Sequence, residues 1–539
     1  MTGYFDRHRA LLEDARAALV SRGYWAPFPE IPSEKLYGEG TRAAGEAAFE
    51  ALKGHPFDLP GHPESGRLGG ETSPFGGALG ITYPSATPAT LIAASVAARP
   101  ALADASPEAR TGALIEALTR LNRQSFLLAH ATQHTTGQAF AMAFQAGGPH
   151  AQDRALEAVA VAYDEMTRFP TDAIWEKPQG RAAPLRLEKH WTLVPAGVAL
   201  TIGCNTFPTW NGYPGLFASL ATGNPVIVKP HPRAILPLAL TARTLRAVFA
   251  EAGLPADAIL LAVDTPDAPV TRQLACDPAV RIIDYTGGSG FSGWLRDNAR
   301  QARLFTEEAG VNTVTILGAP DFAGMCDNLA FSLALYSGQM CTSPQNIHVP
   351  QGGIDTDQGH KTPDEVAQGL VAALDRLLAD PARAAGITGA IANPATTGRL
   401  AAARQAGRVI RDGTPLLIAT DADHPAAQAE CFGPVAFVLT CADADAALAR
   451  ATATSRDKGA ITAALYDTDE DRITRAIRAF AQAGVNLSVN LTGNIYVNQS
   501  AAFSDFHVTG ANPAGNACLT DTAFVAPRFH RAMWRRQIA

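Results

Sequence analysis

The sequence predicts an α/β protein made of two consecutive units, each with a mostly parallel β-sheet. Two observations support this fold class. From residue 184 onward, short apolar strands alternate with helical segments, as in parallel sheets that carry helices on both faces. The 539 residues are also 47% hydrophobic and only 18% charged, which is enough apolar material for several buried cores.

The N-terminal part is predicted to be mainly helical. Apolar residues recur there at three- and four-residue spacing, the period of an amphipathic helix. The segments with this pattern are 9–20, 41–52, 108–133 and 154–168. Residues 54–84 are rich in glycine and proline, so we expect a loop that wraps over the surface.

The α/β alternation then falls into two series with a cleft between them. In the first, residues 184–190 alternate apolar and polar. Strands are predicted at 192–202, 225–229, 258–263, 280–285 and 313–317, with helices at 236–252, 267–276 and 292–302. In the second, helices are predicted at 328–337, 362–378 and 444–453, with strands at 346–349, 416–419 and 435–440.

Charge and cysteine content exclude several classes of function. The net charge of −7 offers no basic surface for nucleic acid or an anionic membrane. We find neither a signal peptide nor an apolar run of the ~18 residues that a membrane span needs. The seven scattered cysteines form no Cys-x-x-Cys pair, so reduced thiols and no metal site are expected. A cytoplasmic protein is therefore predicted.

A glycine-rich segment, GSGFSG (288–293), follows a predicted strand and precedes a helix. Glycines at such a turn let the backbone approach a dinucleotide, and a helix N-terminus favours phosphate. The acidic residue expected about 20 positions later is missing, because 312–317 reads NTVTIL. An ordinary Rossmann fingerprint is not supported, and a tight turn without a ligand remains an alternative.

Two further segments carry reactive groups. Cys341 lies in a loop of small polar residues just beyond an apolar helix, which suits a nucleophile, although most cysteines are only buried small hydrophobes. Glu307 and Glu308 stand between a predicted helix and a predicted strand. A carboxylate at that junction can serve as a general base or be a solvated loop charge.

The order of these signals resembles the aldehyde dehydrogenase superfamily. The similar segments are GVALTIGCNTFPTW (197–210), LATGNPVIVKP (220–230), YTGGSG (285–290), EEAG (307–310), GQMCTS (338–343), ECFGPV (430–435) and AFSDFHVTG (502–510). The resemblance implies the fold of that family. The divisions it implies are an N-terminal extension with the first part of the cofactor domain (1–178), an oligomerisation hairpin (179–196), the cofactor-binding domain (197–310), the catalytic domain (311–508) and a C-terminal oligomerisation segment (509–539).

The same resemblance implies roles for individual residues. Cys341 matches the nucleophile and Glu308 the general base, although Glu307 could take the latter position if the register moves by one. The asparagine that binds the oxyanion falls on Thr206, with Asn205 one place earlier, so both are candidates. The Gly-Gly pair expected after residue 503 is Ser-Asp in this chain.

For the cofactor, the resemblance implies a ribose contact by Lys229, a phosphate loop opened by Gly287, and a nicotinamide-ribose contact by Glu430 with Phe432 beside the ring. The full predicted set is Lys229, His231, Gly287, Gly288, Ser289, Glu430 and Phe432. An NAD-selective site commonly has a carboxylate three residues after the ribose lysine, where this chain has proline. The sequence therefore favours NADP⁺, or dual use, over strict NAD⁺.

Within the superfamily, the long N-terminal extension, FPTWNGYPG (207–215) and the segment 502–517 resemble the phenylacetic acid degradation protein PaaN group. That resemblance implies oxidation of a semialdehyde from aromatic acid catabolism to a carboxylic acid through a cysteine thioester. The alternatives are a coenzyme A-acylating dehydrogenase, a catalytically silent protein of the same fold, and a cysteine hydrolase. The last would need a histidine near Cys341.

The predicted partners are a small aldehyde substrate and further copies of the chain, in a homodimer or homotetramer. In the family a hairpin before the catalytic sheet is expected to join the C-terminal strand of a partner subunit. The matching pieces are residues 185–194 and the segment from Thr520.

Overall fold

The computed structural model describes residues 3–493 and 500–538. Its N-terminal part is helical, with a short hairpin of β1 (Gly66–Leu68) and β2 (Tyr83–Ser85). The helices are α1 (Gly3–Ser21), α2 (Glu34–Tyr37), α3 (Thr41–Glu50), α4 (Pro88–Asp104), α5 (Pro107–Arg123), α6 (Ser125–Thr136), α7 (Phe140–Gly147) and α8 (Pro149–Thr167).

The long helix predicted over 108–133 is two helices. Ser106 caps α5, with its side chain accepting a hydrogen bond from Ala109 N, and proline fills the first turn. At Gln124 the backbone leaves the helical region (φ −100°, ψ 14°), which ends α5 and starts α6. Apolar spacing continues across this junction, so periodicity alone does not reveal the break.

A small antiparallel sheet follows, formed by β3 (Asp172–Gln179), β4 (Ala182–Pro195) and the chain's own C-terminal strand, Phe529–Gln537. The C-terminal strand pairs with β4 from Phe529 opposite Pro195 to Gln537 opposite Leu187. This corrects the expectation that a partner's C-terminal strand joins the hairpin. The hairpin also begins earlier than predicted, at Asp172.

The first parallel sheet has the strand order β7-β6-β5-β8-β9, with helices between consecutive strands. Its elements are β5 (Val198–Ile202), α9 (Pro208–Ala221), β6 (Val226–Lys229), α10 (Leu236–Glu251), β7 (Ile259–Leu261), α11 (Thr271–Ala275), β8 (Val280–Thr286), α12 (Ser289–Asn298) and β9 (Arg303–Glu307). Strands β5, β6 and β7 are buried along their whole length, as expected for a sheet covered on both faces.

The second sheet has the order β15-β16-β17-β12-β10-β18-β19 and is parallel except at its edge strand β15. Its strands are β10 (Thr313–Ile316), β12 (Asn346–Pro350), β15 (Arg408–Arg411), β16 (Leu416–Thr420), β17 (Val435–Cys441), β18 (Thr462–Tyr466) and β19 (Asn486–Val489). Strands β11 (Gly318–Ala319), β13 (Ile354–Thr356) and β14 (Gly359–Lys361) form a separate small sheet. The helices are α13 (Phe322–Ala334), α14 (Pro363–Leu377), α15 (Pro381–Thr388), α16 (Ala395–Ala403), α17 (Ala444–Lys458), α18 (Glu470–Gln482) and α19 (Thr522–Val525), before the C-terminal strand β20 (Phe529–Gln537).

A buried ion pair ties the end of the chain to the first sheet. The guanidinium of Arg528, which is fully buried, donates to both carboxylate oxygens of Asp284 on β8 at 2.6 and 2.8 Å. The rings of Phe305 and Phe524 lie within 4.4 Å of the guanidinium carbon. Bidentate geometry of this kind is what allows a buried charge pair to persist.

Among residues 3–493 and 500–538, every helix is too short or too polar to traverse a lipid bilayer.

Candidate active site

A cavity of about 570 Å³ lies at the carboxyl ends of the first sheet and continues to loops of the second unit. In open α/β sheets this edge is where ligands bind, because the loops after successive strands meet there. The predicted site residues that line the cavity are Asn205, Thr206, Lys229, His231, Gly287, Gly288, Glu308, Cys341, Glu430 and Phe432. Ser289 lies just outside that lining, as the first residue of α12.

Cys341 is held in a loop whose backbone is fixed from behind. The Asn312 side chain donates to the carbonyl oxygens of Cys341 (2.8 Å) and Ser343 (2.9 Å), and its own oxygen accepts from Ile461 N. The thiol itself is half-buried. Burial, reinforced by the nearby Glu307 carboxylate, raises the pKa of the Cys341 thiol well above its usual range. The thiol therefore needs a proton acceptor before it can act as a nucleophile.

The groups closest to the thiol are Glu307 and His507. The Nε2 atom of His507 lies 3.8 Å from Cys341 Sγ and 3.3 Å from Glu307 Oε1. Asn211 Nδ2 donates to the other Glu307 oxygen at 3.0 Å. Burial alone would raise the pKa of Glu307, but His507 opposes that and holds it below the usual value. Trp210 packs edge-on against the imidazole, with ring centroids 4.5 Å apart.

The reactive atoms of Glu307, Cys341 and His507 all lie within 4.8 Å of one another, close enough for proton transfer and also for one small cation. The sequence predicts no metal, and that stays a prediction.

Glu308, the base that the sequence favours, is not brought to the thiol. Its carboxylate is ion-paired with Arg296 and accepts from Thr306 Oγ1 at 3.0 Å. The reason is strand geometry: β9 runs to Glu307, and successive side chains of an extended segment point to opposite sides. The neighbouring carboxylate, Glu307, is therefore the one that reaches Cys341.

Asn205 and Thr206 differ in what their polar groups do. The Thr206 carbonyl accepts from Gln138 Nε2 at 2.8 Å, and its hydroxyl lies 4.0 Å from Cys204 Sγ. Both polar atoms of the Asn205 amide are buried and lack a hydrogen-bond partner among the described residues. A buried amide without a partner carries a desolvation cost, so it is a ready donor for an oxygen in the cavity.

At the far end of the cavity, Lys229 Nζ is 2.7 Å from both Asp264 Oδ1 and the Pro230 carbonyl oxygen. Burial lowers the pKa of Lys229, and Asp264 counteracts that effect. Burial next to Lys229 and Arg233 lowers the pKa of His231 to about 4. At neutral pH His231 is thus uncharged, so it supplies no positive charge for a cofactor phosphate.

Between the two ends, Gly287 and Gly288 lead into α12. A Cβ atom on Gly287 would lie 2.4 Å from the Tyr285 hydroxyl, so a side chain would displace that ring. Gly288 has open space around it, and the first turn of α12 has no side-chain cap. An uncapped helix N-terminus facing a cavity fits a pyrophosphate group.

Glu430 and Phe432 enter from the loop before β17. Burial raises the pKa of Glu430 to about 7, so a substantial fraction of it is protonated at neutral pH. The Phe432 carbonyl accepts from Arg399 Nε at 2.8 Å, which fixes the loop that carries both residues.

The profile of the aldehyde dehydrogenase family matches residues 70–507, most of the chain. The chain belongs to this family. The predicted fold is confirmed, and the prediction of an NAD(P)-dependent aldehyde dehydrogenase is confirmed at the level of the family.

Three known proteins show how similar the chain is to individual members of the family. The crystal structure of an NAD-dependent aldehyde dehydrogenase from Burkholderia multivorans is 51% identical, covers 99% of both chains and has a TM-score of 0.97. Alpha-ketoglutaric semialdehyde dehydrogenase 2 of Azospirillum brasilense is 29% identical over 54% of this chain, which spans 57% of that relative's length. The 3,4-dehydroadipyl-CoA semialdehyde dehydrogenase of Aromatoleum evansii is 24% identical over 64% of this chain, and the match covers 68% of that relative's length.

Several residues of this aldehyde dehydrogenase site did not emerge from the sequence as site residues. His507 lies in AFSDFHVTG and Trp210 and Asn211 in FPTWNGYPG, segments that had been noted only for their resemblance. A histidine or amide inside such a segment was the available signal. Asp264, just after β7, carried no signal of its own.

Proposed function

We propose that this enzyme oxidises an aldehyde to a carboxylic acid through a thioester on Cys341, with NAD⁺ as the hydride acceptor. One observation supports this most strongly. The Cys341 thiol and the Glu307 carboxylate meet at one end of a cavity whose other end holds Lys229 and an uncapped helix. A nucleophile and a base at one end of a cavity, with a lysine and a helix N-terminus that could bind a dinucleotide at the other, suit aldehyde oxidation.

In the first stage, the Cys341 sulfur adds to the aldehyde carbon and the carbonyl oxygen becomes an alkoxide. We assign the stabilisation of that charge to the Cys341 backbone N–H and the Asn205 amide, and the lack of other partners for Asn205 among the described residues favours it over Thr206. A bound dinucleotide would supply the hydride acceptor. As the alkoxide collapses to a carbonyl, the hydride leaves the former aldehyde carbon, and Cys341 then holds the acyl group as a thioester.

In the second stage, water cleaves the thioester, and Glu307 is the proposed base. Its carboxylate lies within 4.8 Å of the Cys341 sulfur, whereas the Glu308 carboxylate is paired with Arg296. Glu307 removes a proton from water as the oxygen attacks the acyl carbon, and the thiolate leaves. This replaces the prediction of Glu308 with its neighbour.

For the cofactor we propose NAD⁺; the NADP⁺ preference favoured by the sequence is not supported. His231 is neutral, and the Asp264 carboxylate beside Lys229 would repel a 2′-phosphate. The similar Burkholderia multivorans enzyme is described as NAD-dependent.

Replacing Asp264 with asparagine tests this assignment. Asp264→Asn should raise kcat/KM for NADP⁺ relative to NAD⁺ about tenfold, because the repulsion is removed and Lys229 is released. Asp267→Asn, an exposed acid in the same loop, is the matched control. A parent enzyme that prefers NADP⁺ would contradict the proposal, as would an unchanged ratio in Asp264→Asn.

The proposed substrate is a semialdehyde from aromatic acid catabolism. Support comes from the segments that resemble the PaaN group and from two similar proteins that are themselves named as semialdehyde dehydrogenases. A panel of aliphatic, aromatic and coenzyme A-linked semialdehydes, assayed by the absorbance of reduced nicotinamide, tests this proposal. A kcat/KM for plain aliphatic aldehydes as high as that for every semialdehyde would overturn it.

The coenzyme A-acylating alternative is disfavoured because Glu307 beside the sulfur would activate water against an incoming thiol. Product analysis with and without free coenzyme A separates the two: the free acid is expected in both, and an acyl-coenzyme A product would reverse the proposal. A cysteine hydrolase would need a histidine near Cys341, and His507 meets that requirement. A hydrolase has no use, however, for the part of the cavity around Lys229.

We also propose that the enzyme is a homodimer or homotetramer that associates through the β3–β4–β20 sheet. Its large apolar side chains are unusually exposed: Ile174 (58%), Trp175 (37%), Met533 (47%) and Trp534 (49%). Light scattering at micromolar concentration should give a multiple of the monomer mass, and Ile174→Lys should lower it. A monomeric parent would contradict the proposal.

A further inference from the structure

The cluster at Cys341 contains a group that the proposed reaction does not yet use. His507 is almost fully buried, and its Nε2 atom faces both the thiol and the Glu307 carboxylate. The residue is brought from a loop beyond β19, 166 positions after Cys341 in the chain. Its Nδ1 atom is buried without a hydrogen-bond partner in the part of the chain that the structure describes, so only one nitrogen has a partner to exchange a proton with.

We propose that His507 is a catalytic residue that accepts the Cys341 proton as the sulfur attacks the aldehyde. This deepens the proposed function and rests on Cys341 being its nucleophile. The S–H bond breaks and its proton goes to Nε2, the S–C bond forms, and the carbonyl electron pair moves onto oxygen. When the thioester is later cleaved, the departing thiolate regains that proton from Nε2.

Glu307 is the poorer acceptor for this proton. Asn211 Nδ2 already donates to one of its carboxylate oxygens at 3.0 Å, and its pKa lies below the usual value. His507, in contrast, presents Nε2 to the sulfur at 3.8 Å, and its other ring nitrogen has no hydrogen-bond partner among the described residues. His507 therefore accepts the thiol proton during the attack on the aldehyde, and Glu307 accepts the proton of water during hydrolysis of the thioester.

Geometry also favours the protonated imidazole once the thiolate has formed. Once Nε2 has accepted the proton, its N–H lies beside two anions, the thiolate sulfur at 3.8 Å and the Glu307 carboxylate at 3.3 Å, and both stabilise the imidazolium. Beyond Trp210, which packs against the ring, the charged neighbours are Arg154, stacked on that indole, and Glu157, which pairs with Arg154. Those two charges offset one another, so the Cys341–Glu307 side dominates the field at His507.

The test is the alkylation rate of Cys341 by iodoacetamide, followed by mass spectrometry of the Cys341 peptide from pH 5 to 10, without aldehyde or dinucleotide. The parent should react at neutral pH through a thiolate–imidazolium pair. His507→Gln, which keeps a polar group of similar size, should lower the rate at pH 7 about tenfold or more and shift the rise in rate above pH 9. His348→Gln, at a second buried histidine 3.7 Å from Cys441, is the matched control and should behave like the parent.

A second measurement separates catalysis from a merely structural role. In stopped flow, His507→Gln should slow the burst of reduced nicotinamide, while a residue that only positions Glu307 would slow the steady state and spare the burst. Melting temperature and NAD⁺ binding should stay close to the parent, which verifies the fold. An unchanged alkylation profile in a folded His507→Gln overturns the inference. Failure to oxidise any aldehyde, with the alkylation difference intact, would overturn the proposed function alone.

Discussion

Among the described residues, two cysteine–histidine pairs have nearly equal separation, and only one of these has the surroundings of a reactive site. Cys341 lies 3.8 Å from His507, and Cys441, at the end of β17, lies 3.7 Å from His348 on β12. Burial raises the pKa of both thiols. A short sulfur–nitrogen distance is therefore insufficient to identify a nucleophile.

The surroundings separate the two pairs. His507 Nε2 lies 3.3 Å from the Glu307 carboxylate, and both Glu307 and Cys341 line the cavity. Across residues 3–493 and 500–538, His348 has no ion pair with a carboxylate, and burial lowers its pKa to about 3. The first pair can form and stabilise a charged state, whereas the second is held neutral. Three features distinguish the surroundings of Cys341 from those of an ordinary core contact. They are the Glu307 carboxylate, the Asn205 amide without a hydrogen-bond partner among the described residues, and the adjoining cavity.

Removing each thiol gives the largest expected contrast. Cys341→Ala should lower kcat for aldehyde oxidation about a thousandfold or more, because the covalent route is lost, while NAD⁺ binding persists. Cys441→Ala should stay within about threefold of the parent. The measurement is reduced nicotinamide formation with matched protein concentrations. Turnover of Cys341→Ala within tenfold of the parent would refute the comparison.

The second largest effect is expected from removing the Glu307 carboxylate, which the Cys441–His348 pair lacks. Glu307→Gln should lower the steady-state rate by about 10²–10⁴ while a burst of reduced cofactor remains, because hydrolysis of the thioester loses its base. Mass spectrometry should then find an acyl group on Cys341. Glu308→Gln, the adjacent control, should change the steady-state rate less than tenfold. If Glu308→Gln accumulates the acyl-enzyme and Glu307→Gln does not, the base has been assigned to the wrong neighbour.

The third largest effect is expected from removing the Asn205 amide. Asn205→Ala should lower kcat/KM about a hundredfold, in line with the loss of one oxyanion donor. Thr206→Val removes the competing hydroxyl and should cost no more than about threefold. A larger loss in Thr206→Val than in Asn205→Ala would move the oxyanion contact by one residue.

The smallest effect is expected on the free energy of unfolding, from His348 in the Cys441–His348 pair. His348 has an ordinary unfolded pKa of 6.5 and a folded value of about 3, so the unfolded state binds the extra proton as pH falls. Stability from this residue is present above pH 6.5 and declines toward pH 3, by about 3 kcal/mol between pH 6.5 and 4. Urea unfolding across this range should show a shallower pH dependence in His348→Gln. Parallel curves for the two proteins would contradict a neutral buried His348.

Much of the fold could be predicted because strands and helices with clear periods alternate over most of the chain. The cofactor-side strand β9 (Arg303–Glu307) escaped prediction: it is short, opens with a charge and ends Phe-Thr-Glu, with no alternation to detect. The match of Glu308 to the base came from the resemblance to the family, with Glu307 left as the alternative. Without the strand, nothing indicated which of two adjacent carboxylates points along the cavity.

The nucleophile and the cofactor end of the site could be predicted because their segments are local. Gly287 and Lys229, for example, each sit at the end of a recognisable strand. His507 and Asp264 could not be assigned, since each acts only through a partner far away in sequence or on another strand. The neutral state of His231 likewise follows from burial, which the residue type does not reveal.

The pairing of Arg528 with Asp284 also has a consequence for how the chain is made. Asp284 leaves the ribosome 244 residues before its counter-ion does, and β4 is synthesised long before β20 can cover its open edge. Until residues 528–537 have been synthesised, the first parallel sheet lacks the counter-ion of Asp284, and strand β4 has one edge without its partner. These residues therefore complete a unit whose other parts are made much earlier. Substitution of Arg528 should thus destabilise the first parallel sheet, more than 200 residues away in the sequence.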